Sequence, residues 1–370
     1  MKYICKRCGQ NYDDSFEGWN CQCGGSLWLD WEVEFSRNDI RENDFSLWRY
    51  DKAFPIKSEN IISTFGEGLT PLIKHSWDGI DVYFKNDALM PTGSFKDRGV
   101  AMMINYFALK GVKNITEDSS GNAGASVAEY AAKAGMECNI FVPHGTSEGK
   151  VAQVISSGAR LHKILGPREK TAQAAQSYTG GVYASHNWNP YFIEGVKSIA
   201  YEIWEQLGFV APDNIICPVG NGSIALGLVQ GFQELLDNSE VKSLPKVYGV
   251  EPHNSNGIYR KFYGLDEDFQ AEPTIAEGIA LRYSSKGDEV VKAIVQSKGE
   301  MVEVKEGEII EALIKISKKG YFIEPTSAAA FAGASNLIKK GKLAGNENTV
   351  IIISGNGLKA SDKVLQYLSE

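Results

Sequence analysis

From about residue 80 to its end, this chain alternates short apolar runs with helical stretches, and that pattern restricts the fold more than anything else in it. Strand-like segments DVYFKND, NITEDSS, ECNIFVP, ARLHKIL and GVYAS are separated by helix-like segments at 95–110, 123–134, 147–158 and 168–179. After a helix over 191–208 the series resumes: NIICPVG, a helix at 223–237, KVYGVEP, helices at 308–318 and 326–340, and the terminal TVIIISGNGLK. Short turns between such elements build parallel sheets covered by helices. A chain of 370 residues exceeds what one core usually supports, so the expectation is α/β with two parallel-sheet domains plus an appendage. The stretch 253–300 is the least regular and reads as a lid or interface loop. Ahead of the series, LWLDWEVEF alternates like a strand, FSLWRYDKAFP reads as a short helical piece, and GEGLTPL is a turn cluster.

The net charge of −8 argues against a nucleic-acid partner, because binding a phosphate backbone needs a basic footprint. No run approaches the roughly 18 apolar residues of a membrane span, and MKYICKRCGQ has no apolar core of a signal peptide. A cytoplasmic location with no membrane partner is therefore expected.

Four of the six cysteines fall in the first 23 residues, as Cys5 and Cys8 in CKRCG and Cys21 and Cys23 in CQCGG. Two close pairs, each followed by glycine, form tight knuckles that aim four thiolates at one point. The glycines permit the positive φ such turns need, and Zn²⁺ favours a closed Cys₄ set for structural work. A zinc-ribbon-like extension over 1–30 is the expectation. A metal-free ribbon with reduced thiols is the other reading, since the second pair has one intervening residue instead of two. Cys138 and Cys217 lie in apolar runs and read as buried small hydrophobes.

Three strand-to-helix turns place small residues at a helix N-terminus, where backbone N–H groups attract anions. SSGNAGAS (119–126) offers Ser119, Ser120, Gly121, Asn122 and Ala123 as a loop able to hold a carboxylate, with the Asn122 amide beside it. CPVGNGSIALG (217–227) sets Gly220, Asn221, Gly222 and Ser223 between strand and helix, a phosphate cradle of the simplest kind. It has neither the GxGxxG of a dinucleotide fold nor the lysine of a Walker loop. VIIISGNGLK (350–359) delivers the neutral hydroxyl of Ser354 to a sheet end. Each turn alone is compatible with an ordinary structural role.

PTGSFKDRG (91–99) adds an amine, Lys96, at the start of a helix. An amine forms a Schiff base with an aldehyde, and the cofactor that carries both an aldehyde and a phosphate is pyridoxal 5′-phosphate (PLP). Lys96 is thus read as the lysine that holds PLP.

The residues GEGLTPL, MPTGSFKDRG, SSGN, NPYFIEG, PVGN, EPTSAAAFAG and SGNGLK, together with the cysteine ribbon, resemble the threonine synthase family over nearly the whole chain. That family lies within the fold-type II PLP enzymes, the tryptophan synthase beta-like group, which also holds serine and threonine dehydratases. The resemblance implies a larger cofactor domain from 31–90 and 191–370, a smaller domain from 91–190, and a homodimer. It implies that Lys96 carries the cofactor and shuttles protons at Cα, and that Asn122 bonds the ring oxygen. By the same resemblance Gly220, Asn221, Gly222 and Ser223 cradle the phosphate, and Ser354 faces the pyridine nitrogen. Ser119, Ser120 and the N–H groups of 121–124 would hold the substrate carboxylate. Glu277 in TIAEGIA falls in a segment that lines the cofactor face in this group.

The chain departs from that family where substrate is gripped. The family's NSxNPxRxEGQKT is SHNWNPYFIEGVKS here, so Phe192 stands where an arginine grips the phosphate of O-phosphohomoserine. Ala123 replaces a threonine, as in the dehydratases. Three readings follow: β-elimination or β-replacement on a hydroxy-, phospho- or diamino acid; true threonine synthesis, with His186, Lys197 or Arg168 supplying charge; and a PLP-binding protein without turnover. His144 and His186 follow strands and are candidates to touch substrate.

Overall fold

The computed structural model describes residues 1–368. Its strands are β1 (Lys2–Cys5), β2 (Asn11–Tyr12), β3 (Leu27–Asp30), β4 (Leu72–Trp77), β5 (Ile80–Asn86), β6 (Asn114–Glu117) and β7 (Glu137–Pro143). They continue with β8 (Arg160–Ile164), β9 (Val182–Tyr183), β10 (Asn214–Pro218), β11 (Lys246–Pro252), β12 (Glu300–Val304) and β13 (Thr349–Ile353). The helices are α1 (Lys96–Leu109), α2 (Asn122–Lys133), α3 (Glu148–Ser156), α4 (Arg168–Gln176), α5 (Pro190–Val196) and α6 (Ser198–Gln206). After these come α7 (Ser223–Asp237), α8 (Gly257–Phe262), α9 (Gly287–Gln296), α10 (Glu306–Ser317), α11 (Pro325–Lys339) and α12 (Ser361–Leu368). No helix among the described residues is long and apolar enough to cross a membrane.

The chain divides into two compact units. One comprises Met1–Glu34, Asp39–Gly68 and Lys96–Val196; the other comprises Phe35–Asn38, Leu69–Phe95 and the chain from Lys197 onward. The sequence boundaries at 31, 91 and 191 group residues 39–68 differently. Two buried side chains show why this segment clusters with the first unit. Asn105 of α1 accepts the N–H groups of Ile62 (2.6 Å) and Ser63 (2.9 Å) and donates to the Ser63 carbonyl (2.7 Å). Glu67 accepts from Trp48 Nε1 (2.8 Å) and from Tyr130 Oη of α2 (2.9 Å).

In the first unit β8-β7-β6-β9 form an all-parallel sheet, and β2-β1-β3 form a separate antiparallel ribbon. The ribbon is tied to α1 and α5 by aromatic side chains. Tyr3 Oη and Tyr106 Oη share a 2.7 Å hydrogen bond, and Tyr106 stacks on Tyr191 with ring centroids 3.9 Å apart. Trp19 meets Trp188 edge-on at 5.0 Å and Tyr183 at 5.5 Å.

The second unit holds a six-stranded sheet in the order β12-β11-β10-β13-β5-β4, parallel except for β4. Its central strands, NIICP and TVIII, are buried throughout, as strands covered on both faces must be. The Ala-rich α11 packs against them; a Cβ on Gly333 would lie 2.5 Å from Val250, so only glycine allows that approach. β4 and β5 are joined by Asp78 and Gly79, both at positive φ (47° and 87°), a two-residue hairpin that the sequence reading missed. The segment 253–300 is also more regular than expected, since it contains α8, α9 and the start of β12. The helix expected over 191–208 is two helices, α5 and α6.

Two buried polar groups anchor this second unit. Lys85 on β5 is fully buried and bonds Glu202 of α6 (2.5 Å), the Thr70 carbonyl (2.7 Å) and Gln206 (2.9 Å). Glu202 also accepts the N–H of Leu69 at 2.7 Å. Glu251, at the end of β11, accepts the N–H of Tyr259 at 2.7 Å, and burial pushes its carboxyl up to about 8.

Candidate active site

In the first unit, Lys96 is the first residue of α1 and is half-buried. Its Nζ lies 5.4 Å from the ring centroid of Phe192, a wholly buried residue of α5. A Cβ on Gly99 would meet that ring at 2.5 Å, so the glycine of SFKDRG lets α5 and α1 close on each other. Asp97, buried, accepts from Ser126 Oγ of α2 at 2.6 Å and fixes the start of α1 against that helix.

The loop of Ser119, Ser120 and Gly121 joins β6 to α2 at the carboxyl end of the strand, where ligands bind in such folds. Gly121 caps α2, and its N–H donates to Ser119 Oγ at 3.3 Å. A Cβ on Gly124 would sit 1.9 Å from the Ser119 carbonyl oxygen, so that glycine is obligatory for the loop's fold over the helix. Asn122 opens α2 half-buried, and Ala123 is buried beside it. The partner of His186 escaped sequence reading: Glu117, the last residue of β6, accepts the His186 backbone N–H at 3.0 Å and lies 3.3 Å from its ring Nδ1. Burial pushes Glu117 up to about 7, partly offset by N–H groups and by Lys96. Burial also holds the His186 ring well below its ordinary value, with Lys96 acting in the same direction.

In the second unit, β10 gives way to Gly220, Asn221 and Gly222, and α7 starts at Ser223. Gly222 has φ +81°, and a Cβ there would lie 2.1 Å from Val290 of α9. On Gly220 a Cβ would lie 3.2 Å from Ile279. The chain therefore runs bare at the N-terminus of a 15-residue helix, whose first N–H groups lack intrahelical acceptors. That geometry fits a phosphate. Ser284 Oγ donates to the Asn221 carbonyl at 3.4 Å, which ties Ser284 to this turn.

Ser354 follows β13 and is buried. Its hydroxyl lies 3.0 Å from that of Ser327 on α11, and Ser327 Oγ accepts the N–H groups of Ser354 (3.0 Å) and Gly355 (3.1 Å). Ser327 went unremarked in the sequence reading although it lies in EPTSAAAFAG, because nothing local says which hydroxyl of that run turns inward. The chain just before Lys96 belongs to this unit: Phe95 N–H donates to the Ser354 carbonyl at 3.0 Å.

The remaining candidates have these surroundings. Glu277 is ion-paired with Lys363 and partly exposed. Lys197 is buried and bound to Glu234 at 2.9 Å, so its charge is already committed. His144 is exposed. Cys138 and Cys217 are buried, and burial pushes both thiols up to about 12.

The four ribbon sulfurs lie within 4.8 Å of one another, with Cys5–Cys23 at 3.6 Å and Cys8–Cys21 at 3.5 Å. Gly9 and Gly24 adopt φ +75° and +76°, the conformation the two knuckles need.

Residues 63–355 match the family described as pyridoxal-phosphate dependent enzyme. A threonine synthase of Methanocaldococcus jannaschii is 32% identical in an alignment spanning 100% of this chain and 96% of that protein. Another, of Methanosarcina acetivorans, is 30% identical over 99% of this chain and 94% of its own length. In fold the chain is similar to a fungal L-serine ammonia-lyase from Rhizomucor miehei, with TM-score 0.70, 23% identity, and coverage of 82% of this chain and 98% of that one. A lysine at a helix start, a glycine cradle and these full-length likenesses agree: the chain belongs to the family of pyridoxal-phosphate dependent enzymes, among the threonine synthase homologues. It is an elimination and replacement enzyme of small amino acids.

Proposed function

We propose that this enzyme performs β-elimination or β-replacement on a small hydroxy-, phospho- or diamino acid, with a hydroxyamino acid as the foremost substrate. The observation that carries the reading is Phe192. It is fully buried with the Lys96 ammonium 5.4 Å from its ring centroid, at the place where the threonine synthase pattern has a phosphate-binding arginine. An aromatic ring offers a phosphate dianion no hydrogen bond, and a desolvated dianion without partners is strongly disfavoured.

PLP, when bound, supplies an electron sink for the carbanion left at Cα. Lys96 would hold its aldehyde, and the Lys96 amine would take the Cα proton. Gly220, Asn221, Gly222 and Ser223 would bind its phosphate through the N–H groups at the start of α7. Asn122 would donate to its ring oxygen. Ser354, oriented by Ser327, would face the ring nitrogen; a hydroxyl does not hold a proton there as a carboxylate does, which suits elimination over transamination. Ser119, Ser120, Gly121 and Ala123 would orient the substrate carboxylate.

A second reading, threonine synthesis from O-phosphohomoserine, is favoured by the full-length relatives of that name. The test is a substrate panel with the purified holoenzyme: serine, threonine, O-phosphohomoserine, and phosphoserine with and without sulfite. Release of 2-oxo acid from serine or threonine supports the first reading. Threonine plus phosphate from phosphohomoserine supports the second.

The ribbon is inferred to hold a structural zinc through Cys5, Cys8, Cys21 and Cys23. Zinc–sulfur bonds of about 2.3 Å put tetrahedral sulfurs about 3.8 Å apart, near the spacing here. Metal analysis should give one zinc per chain, lost with Cys8→Ser. A homodimer is also inferred. Leu89, Phe322 and Leu358, all in the second unit, leave apolar side chains exposed, and sedimentation would show the dimer.

A further inference from the structure

β6 and β9 are neighbours in the first unit's parallel sheet, with Ile115 opposite Val182 and Thr116 opposite Tyr183. Residues leaving their carboxyl ends therefore emerge side by side, and so Glu117 meets His186 across 69 positions of sequence. Both Glu117 oxygens lie 3.3 Å from His186 Nδ1, while one accepts the His186 N–H (3.0 Å) and the other the Asp118 N–H (2.9 Å). The carboxylate is pinned, and it pins the ring. The other ring nitrogen, Nε2, has no hydrogen-bond partner among the described residues, on a side chain only 9% exposed. The ring meets Phe192 edge-on at 5.7 Å, the same Phe192 that carries the Lys96 ammonium. The other charged or titratable groups around the pair are Lys96 at the start of α1, Asp118 after β6, Cys138 of β7, Arg168 at the start of α4, and Tyr183 of β9, which donates to Asp118 at 2.6 Å.

A carboxylate that orients an imidazole and leaves its second nitrogen open is the arrangement of an acid–base relay. Eliminating a hydroxyl needs one, because hydroxide leaves poorly: its conjugate acid, water, has a pKa of about 15.7. Chloride or phosphate departs without that help. Lys96 is engaged with the Cα proton, so a second proton source is required.

We propose that Glu117 and His186 form the relay that protonates the leaving group at the substrate's β-carbon, a role that rests on the hydroxyamino acid reading above. Lys96 takes the Cα proton, and that bonding pair becomes the Cα–Cβ double bond. The Cβ–O bond breaks with its electron pair on oxygen, which takes the proton from His186 Nε2 and departs as water. Glu117 passes its carboxyl proton to Nδ1, leaving a carboxylate beside a neutral ring. Before the next turnover Lys96 gives the proton it took from Cα to solvent, Glu117 takes its proton back from Nδ1, and solvent returns one proton to Nε2.

The test compares leaving groups in the holoenzyme. In His186→Gln, kcat with serine falls about 10²–10⁴-fold, the range of general acid catalysis, while kcat with β-chloroalanine falls less than about tenfold. Glu117→Gln keeps an acceptor for only one of the two backbone N–H groups but removes the carboxyl proton; it shows the same leaving-group dependence, and it carries the comparison if the first variant loses cofactor. Independently of turnover, ¹⁵N spectra of the five histidines, with His186 assigned by its loss in His186→Gln, show a neutral ring at pH about 6.5. In those spectra the Nδ1 signal moves in Glu117→Gln. Equal losses with serine and β-chloroalanine, or an unshifted Nδ1 signal, overturn the relay. If the wild-type enzyme eliminates neither serine nor threonine but releases phosphate from O-phosphohomoserine, the substrate reading has failed and the relay falls with it. If the wild type eliminates serine and the variants do too, only the relay has failed.

Discussion

The backbone N–H of Phe95 donates to the carbonyl of Ser354 at 3.0 Å, and beside it Ser94 pairs with Gly355 in an isolated β-bridge. The residue covalently before Lys96 is thus laced to the strand end that carries the Ser354 hydroxyl. α1 starts at Lys96, so its amine departs from a fixed point rather than from a loose loop. Pinning of this kind would serve the Schiff-base role proposed for Lys96, because a displaced amine would lose its reach to both the cofactor aldehyde and Cα.

Lys96→Ala should abolish the borohydride-reducible link to PLP and lower turnover by about 10³-fold or more, since the variant loses both nucleophile and proton carrier. Mass spectrometry after reduction checks it. A reduced adduct that persists in the variant would falsify the assignment.

Phe192→Arg places a guanidinium near Lys96. Charge-assisted hydrogen bonds are worth about 1.5–3 kcal/mol, so O-phosphohomoserine or phosphoserine should bind roughly tenfold or more tighter. The ring it replaces is wholly buried against Gly99, so the melting temperature should fall as well. Unchanged affinity, measured by titrating the cofactor spectrum, would mean that this side chain does not face substrate.

Glu251→Gln tests a pH-dependent cost. Burial raises the native carboxyl to about 8, against about 4.3 for an unfolded glutamate. Between those values the native state holds more protons than the unfolded state, so the wild type loses stability as pH rises. Glutamine can still accept the shorter of the two bonds, from the Tyr259 N–H, and does not titrate. The variant's stability relative to wild type should therefore climb by a few kcal/mol from pH about 4.5 to about 8. Denaturation at several pH values decides it; a difference that stays flat would place the titration elsewhere.

Lys85→Met removes one partner of a fully buried ion pair and leaves Glu202 buried without its counter-charge, a loss of about 3–5 kcal/mol. The double variant Lys85→Met, Glu202→Leu should lose clearly less than the sum of the single changes. Additive losses would mean the pair is not coupled.

The parallel sheets were legible because both-face burial writes continuous apolar runs such as TVIII, and because glycine-rich turns mark strand ends. The turn from β10 into α7 was legible for the same reason: at 222, with φ +81° and a Cβ that would lie 2.1 Å from Val290, only glycine fits. Two elements were readable and passed over. Asp78-Gly79 between alternating LIKHSW and IDVYF is a hairpin signal, and GDEVVKAIVQ spaces Val290, Ala293 and Ile294 at helical intervals. The Glu117–His186 pair is different in kind. Its members are joined only by the adjacency of β6 and β9, and no local pattern states which acid meets which histidine. The position of residues 39–68 was hidden likewise, since it depends on Asn105 and Glu67 each satisfying partners far off in sequence.

The ribbon's aromatic seam has a consequence for how the chain could be shortened. Tyr3 and Trp19 cover Tyr106, Tyr183 and Trp188, which without them would form an aromatic face open to water. Such faces seek other surfaces. Trimming the first 34 residues would then uncover that face and favour self-association of the shortened chain.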